Sequence, residues 1–166
     1  MPRINIIDIL RVLEDFEYIT IGGIATILYG IGKSTSDLDI ILPYYELDRL
    51  LVELKKLGFT LVKTNYGTFP IEQISSDEII ECLGATFYGD EQLDIIVHDE
   101  SLMSCWKILY SRRVCTTSKD LNVKVSLINL NDLINSYEIS RRVKDLPSLI
   151  ELKKLRDLIR SKKRRE

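Results

Sequence analysis

The sequence contains little of what a zinc centre, a disulfide framework or a membrane anchor requires. Among its 166 residues there is one histidine, His98, and there are three cysteines, none of them in a CxxC spacing. Zinc chemistry and a histidine-based catalytic triad are therefore poorly supported, and we expect the cysteines to be small buried hydrophobic residues. No apolar run approaches the roughly 20 residues needed to span a bilayer, so we expect no membrane partner.

The charge is distributed unevenly along the chain. Residues 141–166 hold 11 Lys and Arg against four Asp and Glu, a balance of +7, whereas residues 1–140 hold 12 against 21, a balance of −9. The basic tail is thus electrostatically distinct from the rest of the chain. Residues 1–19 carry acids within their apolar pattern, unlike a secretory signal, so a cytoplasmic location is expected.

The order of strand and helix patterns predicts one globular unit of the α/β (α+β) class. We expect a mixed β-sheet flanked by helices, with a core over residues 1–128 and a C-terminal helical segment with a basic tail over residues 129–166. Residues 65–76 are predicted to be a loop. Residues 79–88 and 93–97 are predicted to be two apolar segments joined as a hairpin.

The most informative stretch is YITIGGIATILYGIGKSTSDLDIILP, residues 18–43. It predicts a strand, the pair Gly22–Gly23, a short helix over 24–29, a polar connector and a second strand that opens with Asp37 and Asp39. Glycines allow the backbone to approach a ligand closely, and N–H groups at a helix start bind phosphate oxygens. Gly22 and Gly23 are therefore predicted to bind phosphate.

The two aspartates predict a metal site. Side chains alternate along a strand, so Asp37 and Asp39 are expected on one face, where two carboxylates in a half-buried setting are costly unless a cation binds them. Two such carboxylates can hold one or two Mg²⁺ ions that stabilise the attacking and leaving oxygens of a phosphoryl transfer. Asp94 opens a similar strand, LDIIV, and is the candidate for the third metal-binding and proton-accepting carboxylate.

These pieces together resemble the nucleotidyltransferase superfamily, also called the DNA polymerase β-like fold. Its signature is hG[GS], then h[DE]h[DE]h, then a third acid on a later strand, and the chain has IGG at 21–23, DLDI at 37–40 and LDI at 93–95. The similarity is greatest to small stand-alone prokaryotic members, among them abortive-infection and toxin-like proteins. The positions that match their pattern GGxA…G…[RK]xTxDxDI are Ala25, Gly30, Lys33, Thr35, Asp37 and Asp39.

The resemblance implies an activity and its cofactors. Such members transfer a nucleoside monophosphate from an NTP, with Mg²⁺ or Mn²⁺, to a hydroxyl acceptor, which here could be RNA, a protein or a small molecule. Asp37, Asp39 and Asp94 would then be catalytic and metal-binding. Lys33, Ser34 and Thr35 would contact the nucleotide, or would be only a polar connector between helix and strand.

Two further interpretations stay open. A non-catalytic module of the same fold could bind nucleotide or a protein partner, for example in a toxin–antitoxin pair. The basic tail could bind tRNA or another RNA through phosphates, or it could be a solvated helix face with cations near the negative helix end. Lys144 and Asp145 are interpreted as a structural ion pair at a helix start, in preference to a contact with the nucleotide.

Overall fold

A computed structural model of the chain describes residues 5–32, 35, 37–118 (for residue 118 the backbone only) and 122–165. Its eight strands form one mixed sheet in the order β4-β3-β5-β6-β2-β1-β8-β7. β2 pairs in parallel with β6, and β1 with β8, while the other neighbours are antiparallel. The strands are β1 Ile19–Ile21, β2 Asp37–Pro43, β3 Leu61–Thr64, β4 Gly67–Pro70, β5 Gly84–Tyr88, β6 Gln92–His98, β7 Val114–Ser118 and β8 Val123–Leu127.

Seven α-helices accompany the sheet in the described part of the chain. They are α1 Ile6–Leu13, α2 Gly22–Leu28, α3 Leu47–Leu57, α4 Ser76–Glu81, α5 Met103–Ser111, α6 Leu130–Ser140 and α7 Leu146–Arg165. Within those described ranges, none of these helices has the combination of length and apolar character that a bilayer crossing requires.

One face of the sheet packs against α1, α3 and α4. Alternate residues of β2 and β6 point to this face and are fully or nearly fully buried: Leu38, Ile40, Leu42, Leu93, Ile95 and Val97. Leu10 of α1, Leu50 of α3 and Ile79 of α4 belong to the same hydrophobic cluster. Burial of this area is the main favourable contribution to folding, and it fixes which residues of β2 and β6 face the other way.

The opposite face is covered by helices over only part of its width. Ile19 of β1 and Ile41 of β2 are buried there with Trp106 of α5, Leu133 of α6 and Leu152 of α7. Toward β6, β5 and β3 the same face is more open, and Ile96 of β6 is 46% exposed. Asp37, Asp39 and Asp94 lie where the helical cover ends.

The predicted fold class is confirmed, and two local predictions are wrong. Residues 65–76, predicted as a loop, contain β4 and the start of α4, because β4 pairs with β3 from Leu61↔Pro70 to Thr64↔Gly67. Residues 79–88 are not one strand, since α4 extends to Glu81 before β5 begins. Ser75 caps α4 by accepting a hydrogen bond from the Glu78 N–H, and this Ser-x-x-Glu pattern is present in the sequence.

The prediction of buried cysteines is also wrong. Cys105 and Cys115 are exposed, and Cys82 is half-buried. Cys105 lies on α5 and Cys115 on β7, which is an edge strand of the sheet. The positions of these elements at the periphery of the fold account for the exposure, which the local sequence does not encode.

Candidate active site

Three carboxylates meet on one face of the sheet through the pairing of two strands. In the parallel register of β2 and β6, Asp39 lies opposite Asp94, and Asp37 lies opposite Gln92. Neighbouring strands are about 4.8 Å apart, so Asp39 and Asp94 are direct neighbours. All three carboxylates are half-buried, which leaves them open to a ligand.

The turn at Gly22 and Gly23, here called the glycine turn, lies against these three carboxylates. β1 pairs with β2 so that Ile21 lies opposite Asp39, and α2 begins at the next residue, Gly22. Gly22 has a φ of +66°, and a Cβ there would lie 2.4 Å from Oδ2 of Asp39. Only glycine combines this left-handed backbone with this close approach. A Cβ at Gly23 would lie 3.0 Å from the Cβ of Thr35, so the second glycine is also tightly placed.

Two neighbouring side chains orient Asp94. The Thr86 hydroxyl donates to Oδ1 of Asp94 at 2.7 Å, and Thr86 lies opposite Asp94 in the register of β5 and β6. The Gln92 side-chain amide donates to both oxygens, at 3.4 Å to Oδ1 and 3.3 Å to Oδ2. These bonds hold the carboxylate in one orientation. Oδ1 accepts the short bond from Thr86, whereas Oδ2 accepts only the longer bond from Gln92.

A cleft of about 340 Å³ contains most of the residues predicted from the sequence. Its lining includes Gly22, Gly23, Thr35, Asp37, Asp39 and Asp94. The structure thus brings together six of the eight predicted site residues. The other two, Lys33 and Ser34, lie outside the described residues.

The C-terminal helical segment supplies four further lining residues: Tyr137, Arg142, Lys144 and Asp145. The sequence interpretation did not include Tyr137 and Arg142, and it favoured a structural role for Lys144 and Asp145. α6 ends at Ser140 and is followed by Arg141 in a left-handed conformation; Arg142 and Lys144 then line the cleft before α7 begins. Lys144 is exposed and does not pair with Asp145, which is buried and forms an ion pair with Arg142 at 3.5 Å. The signal available in the sequence was the basic run RRVK between two helices.

A buried hydrogen-bond chain joins this segment to the glycine turn. The Thr26 hydroxyl donates to the carbonyl of Gly22 at 2.9 Å, and it lies 2.7 Å from the hydroxyl of Tyr137. The single hydroxyl hydrogen of Thr26 is donated to the Gly22 carbonyl, so in the second bond the Tyr137 hydroxyl is the donor and the Thr26 oxygen is the acceptor. Thr26 is fully buried and Tyr137 nearly so, where an unmade hydrogen bond is costly.

The far end of α2 is fixed by Tyr29. Its hydroxyl donates to the carbonyl of Ile128 at 2.7 Å, just before α6. Burial, with a smaller contribution from Asp132, raises the pKa of Tyr29 to about 12. The hydroxyl therefore stays protonated and remains a donor at any physiological pH. One end of α2 is thus tied to α6 through Tyr137, and the other to Ile128, the residue just before the C-terminal segment.

In the part of the chain that the structure describes, no set of three or more His, Cys, Asp or Glu side chains is grouped closely enough to hold a metal ion by itself. Asp39 and Asp94 are nevertheless neighbours on one face, beside Asp37. Mg²⁺ is commonly bound by one or two carboxylates together with substrate phosphates and waters rather than by a complete protein cage. The donor set fits a magnesium ion that binds together with a phosphate ligand.

Replacement of Gly22 should disturb the carboxylate beside it. Gly22→Ala adds a methyl group that forces the Asp39 carboxylate out of its position, at a cost of about 1 kcal/mol beyond that of the left-handed backbone itself. The matched control is Gly30→Ala, with a φ of +87° but no heavy atom near its Cβ. Urea unfolding should show Gly22→Ala to be the less stable variant, and equal losses in both would contradict the close contact with Asp39.

The link between Thr26 and Tyr137 should be measurable as a coupling energy. In a double-mutant cycle of Thr26→Val and Tyr137→Phe, we expect a coupling of about 1 kcal/mol in the free energy of unfolding, because each single change breaks the same buried hydrogen bond. Ser136→Ala on the same helix is the control, since its hydroxyl bonds locally to Leu133. Additive effects of Thr26→Val and Tyr137→Phe would show that the bond contributes nothing.

Comparison with known proteins identifies the fold. No family model matches the chain, and no curated protein matches it. Among solved structures, an antigenic nucleotidyltransferase-like protein from Paracoccidioides brasiliensis is 18% identical, with a TM-score of 0.56 over 89% of this chain and 72% of that one. ANT(2")-Ia in complex with adenylyl-2"-tobramycin is 15% identical, with a TM-score of 0.51 over 94% of each chain. The chain therefore has the nucleotidyltransferase fold.

Proposed function

We propose that this protein is a metal-dependent nucleotidyltransferase that moves a nucleoside monophosphate from an NTP to a hydroxyl acceptor. The observation that carries the proposal is the placement of Asp37, Asp39 and Asp94 on one sheet face beside the Gly22 turn. Carboxylates gathered at the mouth of a cleft have no structural purpose that the fold requires, and they are costly to bring together. Binding of a cation and a triphosphate would offset that cost.

The nucleotide side of the cleft is formed by backbone amides and two cations. α2 has no side-chain cap at its start, so its first N–H groups, at Gly22 and Gly23, are available to phosphate oxygens. Arg142 and Lys144 line the same cleft from the C-terminal segment. Lys144 makes no ion pair with any described residue, so its charge can be directed at a phosphate. Thr35 lies against Gly23 and would contact the same group, with Lys33 and Ser34 beside it in sequence.

Asp37, Asp39 and Asp94 would hold the metal, which is Mg²⁺ or Mn²⁺ because carboxylate oxygens suit these hard cations. When bound, the metal would neutralise charge on the phosphates and lower the pKa of the attacking hydroxyl. Asp37 and Asp39 are assigned to both metal positions, and Asp94 to the position nearer the acceptor. The orientation of Asp94 by Thr86 and Gln92 is the feature that suits it to this task.

The proposed nucleotidyl transfer is a nucleophilic substitution at the α-phosphorus of the NTP. The acceptor oxygen forms a bond to the α-phosphorus while the bond from that phosphorus to the bridging oxygen breaks, and pyrophosphate leaves with the bonding electrons. The hydroxyl proton passes to Oδ2 of Asp94, the oxygen that does not accept the short bond from Thr86. Arg142 and Lys144 stabilise the charge that develops on the leaving pyrophosphate.

Charge removal at the three aspartates should abolish transfer and preserve the fold. For Asp37→Asn, Asp39→Asn and Asp94→Asn we expect transfer of label from α-³²P-ATP to fall by about a hundredfold or more, because each isosteric change removes a metal ligand or proton acceptor. Asp77→Asn on the exposed surface of α4 is the control. Full activity in any of the three variants, with unfolding curves like the wild type, would exclude the proposed role of that residue.

Calorimetry with ATP, with and without Mg²⁺, separates this proposal from a non-catalytic module that binds a protein partner and no nucleotide; a module that binds nucleotide is separated from the enzyme by the transfer of label described above. Binding of ATP that requires Mg²⁺ supports the enzyme, since the carboxylates alone repel a triphosphate. Absence of binding under both conditions supports a module that acts through a protein partner, for example in a toxin–antitoxin pair. The gathering of carboxylates favours the enzyme, because a partner-binding surface does not require it.

A second proposal concerns RNA and rests on the end of α7. From Asp157 onward the helix is exposed, and its terminal cations form no ion pair with a described residue. Lys153, by contrast, pairs with Glu138 of α6 at 2.7 Å, and this contact lowers the pKa of Glu138. The exposed cations are Arg160, Lys162, Lys163, Arg164 and Arg165, and they would bind tRNA or another RNA through its phosphates.

The RNA proposal predicts a salt-dependent interaction that is lost on removal of charge. Replacement of the five terminal cations by Gln should weaken binding of a labelled oligoribonucleotide and flatten the dependence of its affinity on salt concentration, as measured by fluorescence anisotropy. Lys55→Gln with Lys56→Gln, on the last turn of α3, is compared with Lys162→Gln with Lys163→Gln, because each pair removes two positive charges and only the second pair lies in the tail. Unchanged affinity and salt slope in the five-residue variant would exclude RNA binding by this tail.

A further inference from the structure

A second cleft opens on the other side of the carboxylates. It has a volume of about 580 Å³ and lies on the face of β6, β5 and β3 that is left open by the helices. Asp39 and Asp94 line both clefts, whereas Gly22, Gly23 and Lys144 line only the smaller one. A molecule in the larger cleft thus reaches the same carboxylates from the side opposite the glycine turn.

The floor of the larger cleft is apolar on the side away from Asp39. Leu83 is 44% exposed and Ile96 is 46% exposed, and both line it. Gly84 follows Leu83 in the chain and pairs with Ile96 in the sheet. A Cβ at Gly84 would be 2.4 Å from the carbonyl oxygen of Ile95, so the backbone of β5 approaches β6 too closely for a side chain. Exposed apolar side chains lining a concave surface are typical of a site that receives an apolar part of a ligand.

The charge of this cleft comes from three described residues: Asp39, Asp94 and Lys63. When a divalent cation neutralises the two aspartates, the ammonium group of Lys63 is the one uncompensated charge among the described residues that line this cleft. Lys63 is exposed and makes no ion pair with any residue that the structure describes. It can therefore accept an anionic group from a ligand without first breaking a bond within the protein.

The sheet register sets the distance between this cation and the reacting centre. Lys63 lies opposite Thr86, and Thr86 lies opposite Asp94, so the backbones of Lys63 and Asp94 are two strands apart. Two strand spacings amount to about 10 Å, and the flexible lysine side chain can shorten the span that a ligand must cover. A compound with a hydroxyl at Asp94 and an anion at Lys63 would cross Thr86, which lies between them in the register. Ile96 is two residues along β6 from Asp94, about 7 Å away, and Leu83 precedes Gly84, which pairs with Ile96, so an apolar body that extends to this side of the line would contact both.

We propose that this larger cleft is the acceptor subsite, and that it takes a small hydroxyl compound with an apolar body and one anionic group, a carboxylate or a phosphate monoester. The inference rests on the proposed nucleotidyl transfer. A polyanion such as RNA fits poorly, because one lysine cannot neutralise several phosphates. A polycationic acceptor fits poorly as well, because Lys63 repels it and the two carboxylates are occupied by the metal.

Four probes of one chain length test the charge preference. They are 6-hydroxyhexanoate, 6-hydroxyhexyl phosphate, 1,6-hexanediol and 6-amino-1-hexanol. Each is titrated into the full chain with saturating Mg²⁺ and a non-hydrolysable ATP analogue, and binding is followed through the amide signals of Thr86, Leu83 and Ile96. At least one of the two anionic probes should bind about tenfold more tightly than the diol or the amine, and the difference between the two identifies the preferred anion. Equal affinities, or signal changes confined to other residues, would overturn the proposal.

Variants at Lys63 test the residue itself. Lys63→Gln should remove the preference for the anionic probe, and Lys63→Glu should reverse it, whereas Lys55→Glu on α3, which packs on the other side of the sheet, should change nothing. An anion preference that survives Lys63→Glu, or displacement of the anionic probe by an oligoribonucleotide, would overturn the assignment. Binding of Mg²⁺ and ATP should be the same in the wild type and in all these variants. Failure of the wild type itself to bind ATP would refute the proposed nucleotidyl transfer, whereas the charge preference of the cleft is tested by the probes alone.

Discussion

The parallel pairing of β2 with β6 is the constraint on which the candidate site depends. It places Asp39 opposite Asp94 on the face that also carries Asp37. Neighbouring carboxylates repel each other and lose hydration, so the arrangement needs a compensating force. That force comes from the opposite face, where alternate residues of both strands are buried against α1, α3 and α4. A shift of one residue in the register would turn the carboxylates into the core, and the packing therefore fixes the site.

The second determinant is the incomplete helical cover of the functional face. α5, α6 and α7 bury Ile19 and Ile41 at one end of this face and leave the part over β6, β5 and β3 open. The carboxylates lie at the boundary, so one cleft forms against the helices and another forms over the open strands. In the proposed reaction, donor and acceptor would then approach the same carboxylates from two directions, because the helical cover is asymmetric.

How far the sequence predicts this arrangement depends on the range of the interactions involved. Period-two alternation was enough to predict that Asp37 and Asp39 share a face, because it is a local property of a strand. The strand β4 was missed because four residues, GTFP, carry no clear alternation and are held by pairing with β3. The approach of Arg142 and Lys144 to the cleft was missed for a similar reason, since it depends on how α6 packs on the sheet and on the left-handed residue that ends it. Alternation within β6 could place Asp94 on a face, but the register with β2 that sets it beside Asp39 is not visible in either segment alone.

The C-terminal segment is best understood as part of the site rather than as an attachment to it. The expected boundary after residue 128 separates two stretches of sequence, yet the buried hydrogen-bond chain from Gly22 through Thr26 to Tyr137 crosses it. The bond from Tyr29 reaches Ile128, the last residue before that boundary. α2 is thereby held at both ends by contacts to residues 128 and beyond. Since the position of Gly22 determines how closely the backbone approaches Asp39, the packing of α6 controls the geometry between the turn at Gly22 and the carboxylates. A chain ending at residue 128 would keep all three aspartates and both glycines but would lose the contact that holds the turn against them.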